Sequence, residues 1–358
     1  MLYEPEKAVI VKIEVGDTKT PLAESLEELK RLVATAGAAV AGEVTQKRQT
    51  PDPKFYIGSG KVEELRSLVA ACNADLVIFG NTLAASQERN LENILGAKVI
   101  DYTELILDIF AQHAKSREGN LQVELAQSTF RLTRLTGHGV MMSRLGGGIG
   151  TRGPGETKLE YDRRKIRKRI SELKKEIDKI RRERSIRREK RKKSKMPIAA
   201  LVGYTNSGKS TLLNALTNSD VLADDKLFAT LDPTIRRLYL PSKGTILLTD
   251  TVGFIIDLPH QLVAAFRATL EEVTEADILL HVVDISNPAF ERQIAAVYTV
   301  LEELKCAAKP TLTIFNQIDG LDKKVSEKML EKYSPAVAVS ALHQKNLEKI
   351  GELLSHNL

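Results

Sequence analysis

IAALVGYTNSGKSTLLNAL, Ile198 to Leu216, joins three signals in one short stretch. An apolar run reads as a buried strand, a glycine-bearing turn follows, and leucines at helical spacing come after it. Gly203, four residues, then Gly208-Lys209-Ser210 is the spacing of a phosphate-binding loop, and strand before with helix after is the context such a loop requires. The backbone amides of Gly203, Tyr204, Thr205, Asn206, Ser207 and Gly208 can then face phosphate oxygens, because glycine permits a close approach. Lys209 reaches the β and γ oxygens, the Ser210 hydroxyl takes a position on Mg2+, and Thr211 enters the helix beside it. The string predicts a nucleoside triphosphate and leaves the base undecided.

Order along the chain decides the base. KLFATLDPTIRR, Lys226 to Arg237, places Phe228, Ala229, Thr230, Leu231 and Asp232 where a first switch belongs. The strand TILLTD ends at Asp250, expected to hold Mg2+ through water, and Thr251, Val252 and Gly253 follow, the Gly253 amide facing the γ-phosphate. PTLTIFNQID sets Asn316, Gln317, Ile318 and Asp319 after another strand, and AVAVSAL sets Ser340, Ala341 and Leu342 after the last. This is the five-element layout of a GTPase on a doubly wound sheet, with nucleotide at the carboxyl ends of the strands. An Asp319 carboxylate can accept two hydrogen bonds from the guanine N1 and N2 edge, which adenine cannot return. The expected ligands are GTP and GDP, and the expected catalytic set is Lys209, Thr230 and Gly253.

Phe254 follows Gly253, where a self-sufficient GTPase commonly carries a glutamine that orients water. The water must therefore be placed by another group. Arg236, Arg237 and His260 are candidates inside the chain, each weighed against a surface or packing role. An element supplied in trans is the other source, worth about 10³ to 10⁵ in rate where one operates.

The 358 residues suit two or three domains. No apolar run approaches the roughly 20 residues that cross a bilayer, and the first residues carry acids where a signal peptide carries bases, so we expect a cytoplasmic protein without a membrane partner. Cys72 and Cys306 lie far apart and the histidines show no ligand spacing, which predicts neither a disulfide framework nor a zinc site. The net charge of +6 is unevenly spread: residues 151–195 hold 21 basic and 8 acidic residues, so the rest of the chain is net acidic. That concentration favours a polyanion partner over a merely solvated helix face.

Residues 1–114 alternate strand and helix patterns and read as a small α/β domain with a largely parallel sheet. Its GSGK, Gly58 to Lys61, reads as a tight helix entry and lacks the phosphate-loop spacing, though Lys54 and Lys61 lie near. Residues 115–195 read as a basic antiparallel helical hairpin. One seam runs through Leu121, Leu125, Ser128, Leu132 and Leu135, the other through Ile166, Ile170, Leu173, Ile177 and Ile180. Thr136 to Lys158 between them carries too much glycine and proline for helix and reads as a tip loop, in which Met141, Met142 and Leu145 could wedge or stack on a partner. Arg144, Arg152, Lys158, Arg163, Arg164, Lys165, Arg167 and Lys168 are the candidate RNA contacts, suited to A-form RNA read by shape. Residues 196–358 complete the chain as the GTPase domain, and nothing in the pattern demands an oligomer, so a monomer is expected.

Over almost its whole length the sequence resembles the HflX family of translational GTPases. The resemblance rests on GYTNSGKS, FATLDPT, DTVGFI, SAL, PDPKFYIGSGKVEEL and the long string RLTRLTGHGVMMSRLGGGIGTRGPGETKLEYDRR. It implies association with the large ribosomal subunit and its rRNA, slow intrinsic hydrolysis raised by the ribosome, and a role in splitting or rescuing ribosomes or in subunit maturation. It also implies Ser210 and Thr230 as Mg2+ ligands, with Thr234 the competing threonine. The chain departs from the family at Gln317, where a lysine normally covers the base, which predicts a guanine affinity lower by about a factor of ten. Two functional readings follow: an enzyme whose hydrolysis releases its RNA partner, or a nucleotide-gated RNA-binding module in which occupancy alone is the switch.

Overall fold

The computed structural model describes residues 5–16, 21–135, 154–193, 196–217, 227–228, 230–232, 234–256, 270–320 and 323–358. They fall into two compact units, one of residues 1–112 and 121–176, the other of residues 113–120 and 177–358.

The first unit opens with β1 (Lys7–Val15), α1 (Leu22–Thr35), β2 (Ala39–Arg48), α2 (Ser59–Cys72), β3 (Leu76–Phe79), α3 (Ala85–Leu95), β4 (Lys98–Ile100) and α4 (Tyr102–His113). Its four strands are all parallel, in the order β2-β1-β3-β4. Ala8, Val9, Ile10 and Val11 of β1 are all fully buried, the mark of a strand covered on both faces, which explains its unbroken apolar run. Gly58 caps α2 and its amide donates to Gln46 Oε1 at 3.0 Å, while Lys61 pairs with Glu64 at 2.8 Å. The GSGK stretch is thus a helix entry, and Lys54 lies over the Phe55 ring.

Two helices follow, α5 (Arg117–Leu135) and α6 (Pro154–Lys193). They run antiparallel: Arg169 grips the Glu124 carboxylate at 2.7 and 2.8 Å, and Arg163 Nη2 donates to Leu135 O at 3.3 Å. The seam expected on α6 holds, with Leu173 and Ile177 buried and Ile166, Ile170 and Ile180 half-buried. On α5 the buried positions are Gly119, Leu121, Gln122, Val123, Ala126 and Phe130, a wider stripe than the expected one, of whose members only Leu121 is buried and the others are half-buried. The reason lies one turn beyond Phe130. Arg134 donates to Leu83 O at 2.8 Å and pairs with Glu88 at 2.9 Å and with the buried Asp101, so α5 covers the α/β layer as well as α6. Burial raises the Asp101 carboxyl and pushes Glu88 up to about 7, with the Arg134 charge opposing both shifts.

The helix α6 begins at Pro154, inside the segment expected to be loop. Proline is at home in the first helical turn, where its missing N–H would have no partner anyway.

The second unit contains β5 (Ile198–Gly203), α7 (Lys209–Thr217), β6 (Thr234–Leu240), β7 (Gly244–Asp250), α8 (Glu271–Glu275), β8 (Ile278–Asp284), α9 (Phe290–Glu303), β9 (Thr311–Asn316), α10 (Lys323–Lys332), β10 (Ala336–Ala338) and α11 (Leu347–Asn357). The sheet order is β10-β9-β8-β5-β7-β6, parallel except for β6 on β7. The chain leaves β5 toward β7 on one side and returns as β8 on the other. The loop after β5 therefore opens at the switch point, where a parallel sheet leaves a crevice at its carboxyl edge. Among the described residues no helix is long and apolar enough to cross a membrane.

Candidate active site

Gly203, Asp250 and Asn316 end three strands of one sheet, β5 paired directly with β7 and β9 one strand away across β8, so three of the five motifs gather at one edge of the sheet. The loop after β5 turns through Asn206 and Gly208, both at positive φ, and enters α7 at Lys209. Lys209 is buried, and its Nζ donates to Tyr204 O at 2.7 Å and Gly203 O at 3.2 Å. Burial lowers its pKa to about 8, with Asp250 opposing the shift. A bound phosphate would favour the ammonium, so nucleotide affinity should fall as pH rises above about 8, approaching tenfold per unit, and a Lys209→Arg variant should flatten the profile. Titration of nucleotide between about pH 7 and about pH 9 reads this directly; a flat wild-type profile contradicts it.

Ser210 Oγ donates to Asp250 Oδ2 at 2.7 Å and lies 2.8 Å from Thr230 Oγ1. Asp250 is fully buried, which raises its carboxyl, while Lys209, Ser210, Thr230 and the Thr251 amide hold it down. Two hydroxyls and one carboxylate form a hard, all-oxygen set of the kind that suits Mg2+. Thr230, rather than Thr234, presents its hydroxyl to Ser210; Thr234 starts β6 with its backbone paired to Asp250.

The loop after β5 also braces both switches. Thr205 Oγ1 accepts from the Phe228 amide at 2.9 Å, holding a buried aromatic at φ +59°, and the Tyr204 hydroxyl accepts from the Ile256 amide at 3.0 Å. Thr251 Oγ1 donates to Leu201 O at 2.6 Å, and Val252 and Leu231 are buried. Gly253 approaches so closely that a Cβ there would stand 2.6 Å from Thr205 Cα and 3.1 Å from Lys209 Nζ. Phe254 is 0% exposed, and its backbone is bonded to the loop on both sides, N–H to Gly203 O at 3.1 Å and C=O from the Thr205 amide at 2.7 Å. Arg236 and Arg237 are exposed on β6 opposite Leu248 and Leu247, back along the strand from Asp250. His260 and Ala229 lie outside the described residues.

At the far end Asn316 is buried, donating from Nδ2 to Ser207 O at 3.1 Å and accepting the Ala341 amide on Oδ1 at 3.0 Å. Asp319 accepts Ser340 Oγ at 2.7 Å; that bond, with His343 and Lys345 adding, holds its carboxyl below the usual range. It is ionised at neutral pH, as an acceptor for the guanine edge must be. Gln317 sits between them at φ +65°, with Ile318 opening a short 3-10 turn and Leu342 exposed. The Thr211 side chain is half-buried in the first turn of α7.

Three features were not legible in the motifs. His281 of β8 is buried behind the loop with its ring edge-on to Tyr298 at 5.5 Å, and burial lowers its pKa to about 4, so it is neutral. Thr205 serves as a brace, a role no spacing announces. Asp232 points away from the nucleotide loop and caps the start of α5, accepting the Lys115 and Ser116 amides at 3.0 and 2.6 Å. Of the basic candidates, Arg164, Lys165, Arg167 and Lys168 are exposed on α6, whereas Arg163 is half-buried against α5. Arg144, Arg152 and the Lys158 side chain lie outside the described residues, as do Met141, Met142 and Leu145.

Comparison with known proteins now bears on this geometry. Residues 23–111 match the family described as GTP-binding GTPase N-terminal, residues 113–191 the GTP-binding GTPase middle region, and residues 198–317 the 50S ribosome-binding GTPase family. The GTPase HflX of Caldanaerobacter subterraneus subsp. tengcongensis is 48% identical over 99% of this chain and 86% of its own. That of Escherichia coli is 47% identical over 88% of this chain and 74% of its own. The chain belongs to the GTPase HflX family. The fold agrees: a GTP-binding protein from Sulfolobus solfataricus, solved with GDP, matches an HflX-type chain such as this over 98% of both lengths, at 26% identity and TM-score 0.50. The SsGBP–GDP complex matches over the same share at 28% identity and TM-score 0.53. As an HflX GTPase the chain is a hydrolase.

Proposed function

We propose that this GTPase binds the large ribosomal subunit, hydrolyses GTP slowly alone and faster on the subunit, and acts in ribosome splitting, rescue or subunit biogenesis. The observation that carries the reading is Phe254: fully buried and bonded through its backbone to Gly203 and Thr205, it has no group with which to orient water. The described arginines after the first switch lie back along β6. No described residue is placed to position the water, which favours a group supplied by a partner, and the description of the family matched by residues 198–317 names a ribosomal one.

The chain's own residues have separable tasks in this reading. Asn316 and Asp319 hold guanine, Lys209 neutralises phosphate charge, and the Gly253 amide faces the γ-phosphate. Ser210 and Thr230 would hold Mg2+, with Asp250 through water; the ion, when bound, neutralises the β and γ oxygens. Exposed Arg164, Lys165, Arg167 and Lys168 on α6 offer a stripe of charge to rRNA phosphates.

Cosedimentation with purified large and small subunits, in a non-hydrolysable GTP analogue at several salt concentrations, tests the partner. The protein is expected in the pellet with large subunits. Reversing the four charges to glutamate should lower the slope of log affinity against log salt by about 3. Equal affinity for both subunits, or a slope untouched by the four changes, contradicts the reading.

A further inference from the structure

The first switch is tied at two points two residues apart to two different things. Thr230 meets Ser210 at 2.8 Å in the oxygen cluster. Asp232 receives the Lys115 amide at 3.0 Å, the Ser116 amide at 2.6 Å and the Ser116 hydroxyl, so three donors converge on one carboxylate. Leu231 between them is buried and leaves little slack. Lys115 and Ser116 open α5: Ser116 Oγ accepts the Gly119 amide at 2.9 Å and Ser116 O accepts the Asn120 amide at 3.0 Å, the bonds of a helix start. A carboxylate at a helix N-terminus, on charge-assisted bonds to its free amides, is among the stronger polar anchors a surface segment can have.

We infer that the N-terminus of α5 is a positioning element for the hydrolytic site: it anchors Asp232 and thereby holds the Thr230 hydroxyl against Ser210. The inference rests on Thr230 serving the Mg2+ site. It goes beyond the family's phosphate and guanine motifs, because Ser116 lies more than a hundred residues upstream of Asp232 and belongs to none of those motifs. Coupling through such a link is reciprocal. A partner that shifts the first turn of α5 displaces Thr230, and a nucleotide that repositions Thr230 loosens or tightens that turn. The turn is held from a second side, since Glu118 pairs with Arg184 of α6, whose Nη1 lies 3.8 Å from Glu272. Gly119 belongs to the same device: a Cβ there would run into the Asp232 carboxylate.

The test uses the full chain with Ser116→Ala, Asp232→Asn, Gly119→Ala and Thr230→Ala. The first readout is the Mg2+ concentration that half-saturates binding of a GTP analogue. Ser116→Ala and Asp232→Asn are each expected to raise it about tenfold, the scale of one lost charge-assisted hydrogen bond, and the double variant to be no worse than the worse single one. Gly119→Ala should act in the same direction by displacement. The second readout is hydrogen exchange in the nucleotide-free protein. The Lys115 and Ser116 amides should lose about tenfold protection in Asp232→Asn, with β5 and β8 unchanged as the sign of an intact fold. If Thr230→Ala raises the Mg2+ requirement and Ser116→Ala does not, the anchor is wrong while Thr230 keeps its role. If Thr230→Ala leaves the requirement unchanged, the reading beneath the inference fails and the inference with it.

Discussion

Gly208→Ala is expected to weaken guanine-nucleotide binding by at least about a hundredfold. Gly208 sits at φ +85°, where an L side chain is strained, and a Cβ there would be driven into the Asn316 amide nitrogen. Asn316 ties the phosphate loop to the guanine loop, through Ser207 O at 3.1 Å and the Ala341 amide at 3.0 Å. Backbone strain of roughly 1–3 kcal/mol adds to two disturbed buried hydrogen bonds of roughly 1 kcal/mol each. A sum near 3 kcal/mol corresponds to about two decades in affinity. Titration with a fluorescent GDP derivative measures it. Gly351→Ala is the control: a Cβ there meets Leu240 Cδ2 at 3.5 Å, an ordinary contact, and the affinity should stay within about twofold. A Gly208→Ala protein that binds GDP as tightly as the parent would mean the two loops are not coupled through Asn316.

How much of this was legible in the sequence depends on the range of each interaction. The phosphate loop is readable because its chemistry is local: glycines, a lysine and a serine at fixed offsets, between a strand and a helix whose periodicities are plain. The strands of the first sheet and the α6 seam are readable for the same reason, since burial follows spacing. The α5 stripe is wider than its leucine spacing predicts because a helix with two neighbours buries more than one line of residues, and nothing in its own periodicity counts neighbours. Arg163 stands in the same basic run as its exposed neighbours on α6, and only the fold shows it turning to Leu135 O. The glycine and proline content of Thr136 to Lys158 reads as loop throughout, yet the helix opens at Pro154, because in the opening turn proline costs nothing. The Asp232 anchor was invisible for a deeper reason. Both partners look like ordinary local signals, a switch aspartate and a serine before a helix, and only the fold joins them.

The Arg134 cluster has the same character. In the sequence Arg134 is one base in a string that carries the family resemblance; in the fold it compensates Asp101 and Glu88, two carboxylates that burial pushes toward neutrality. Its place in the hairpin helix is thus fixed by charge compensation in the first unit, independently of any partner the hairpin meets.

The largest effect expected of this protein is on the rate of GTP hydrolysis. Lys209, Ser210, Thr230 and Gly253 are gathered at one place, and in the proposed function they bind and polarise the triphosphate. Among the described residues none is placed to aim the water, since Phe254 is buried with its backbone engaged by the loop and Arg236 and Arg237 lie back along β6. Supplying that function in trans is worth about 10³ to 10⁵ in rate in GTPases that depend on it. Because a stripe of exposed lysine and arginine would hold the partner, the stimulation should also shrink as salt rises. The measurement that goes most directly to the claim is GTP turnover by the purified protein, alone and with purified large ribosomal subunits, at low and moderate salt. The account predicts a slow basal rate that rises by about three orders of magnitude or more with subunits and falls back as salt is raised. A rate left unchanged by subunits that the protein demonstrably binds would contradict it, and would leave GTP occupancy, rather than hydrolysis, as the switch.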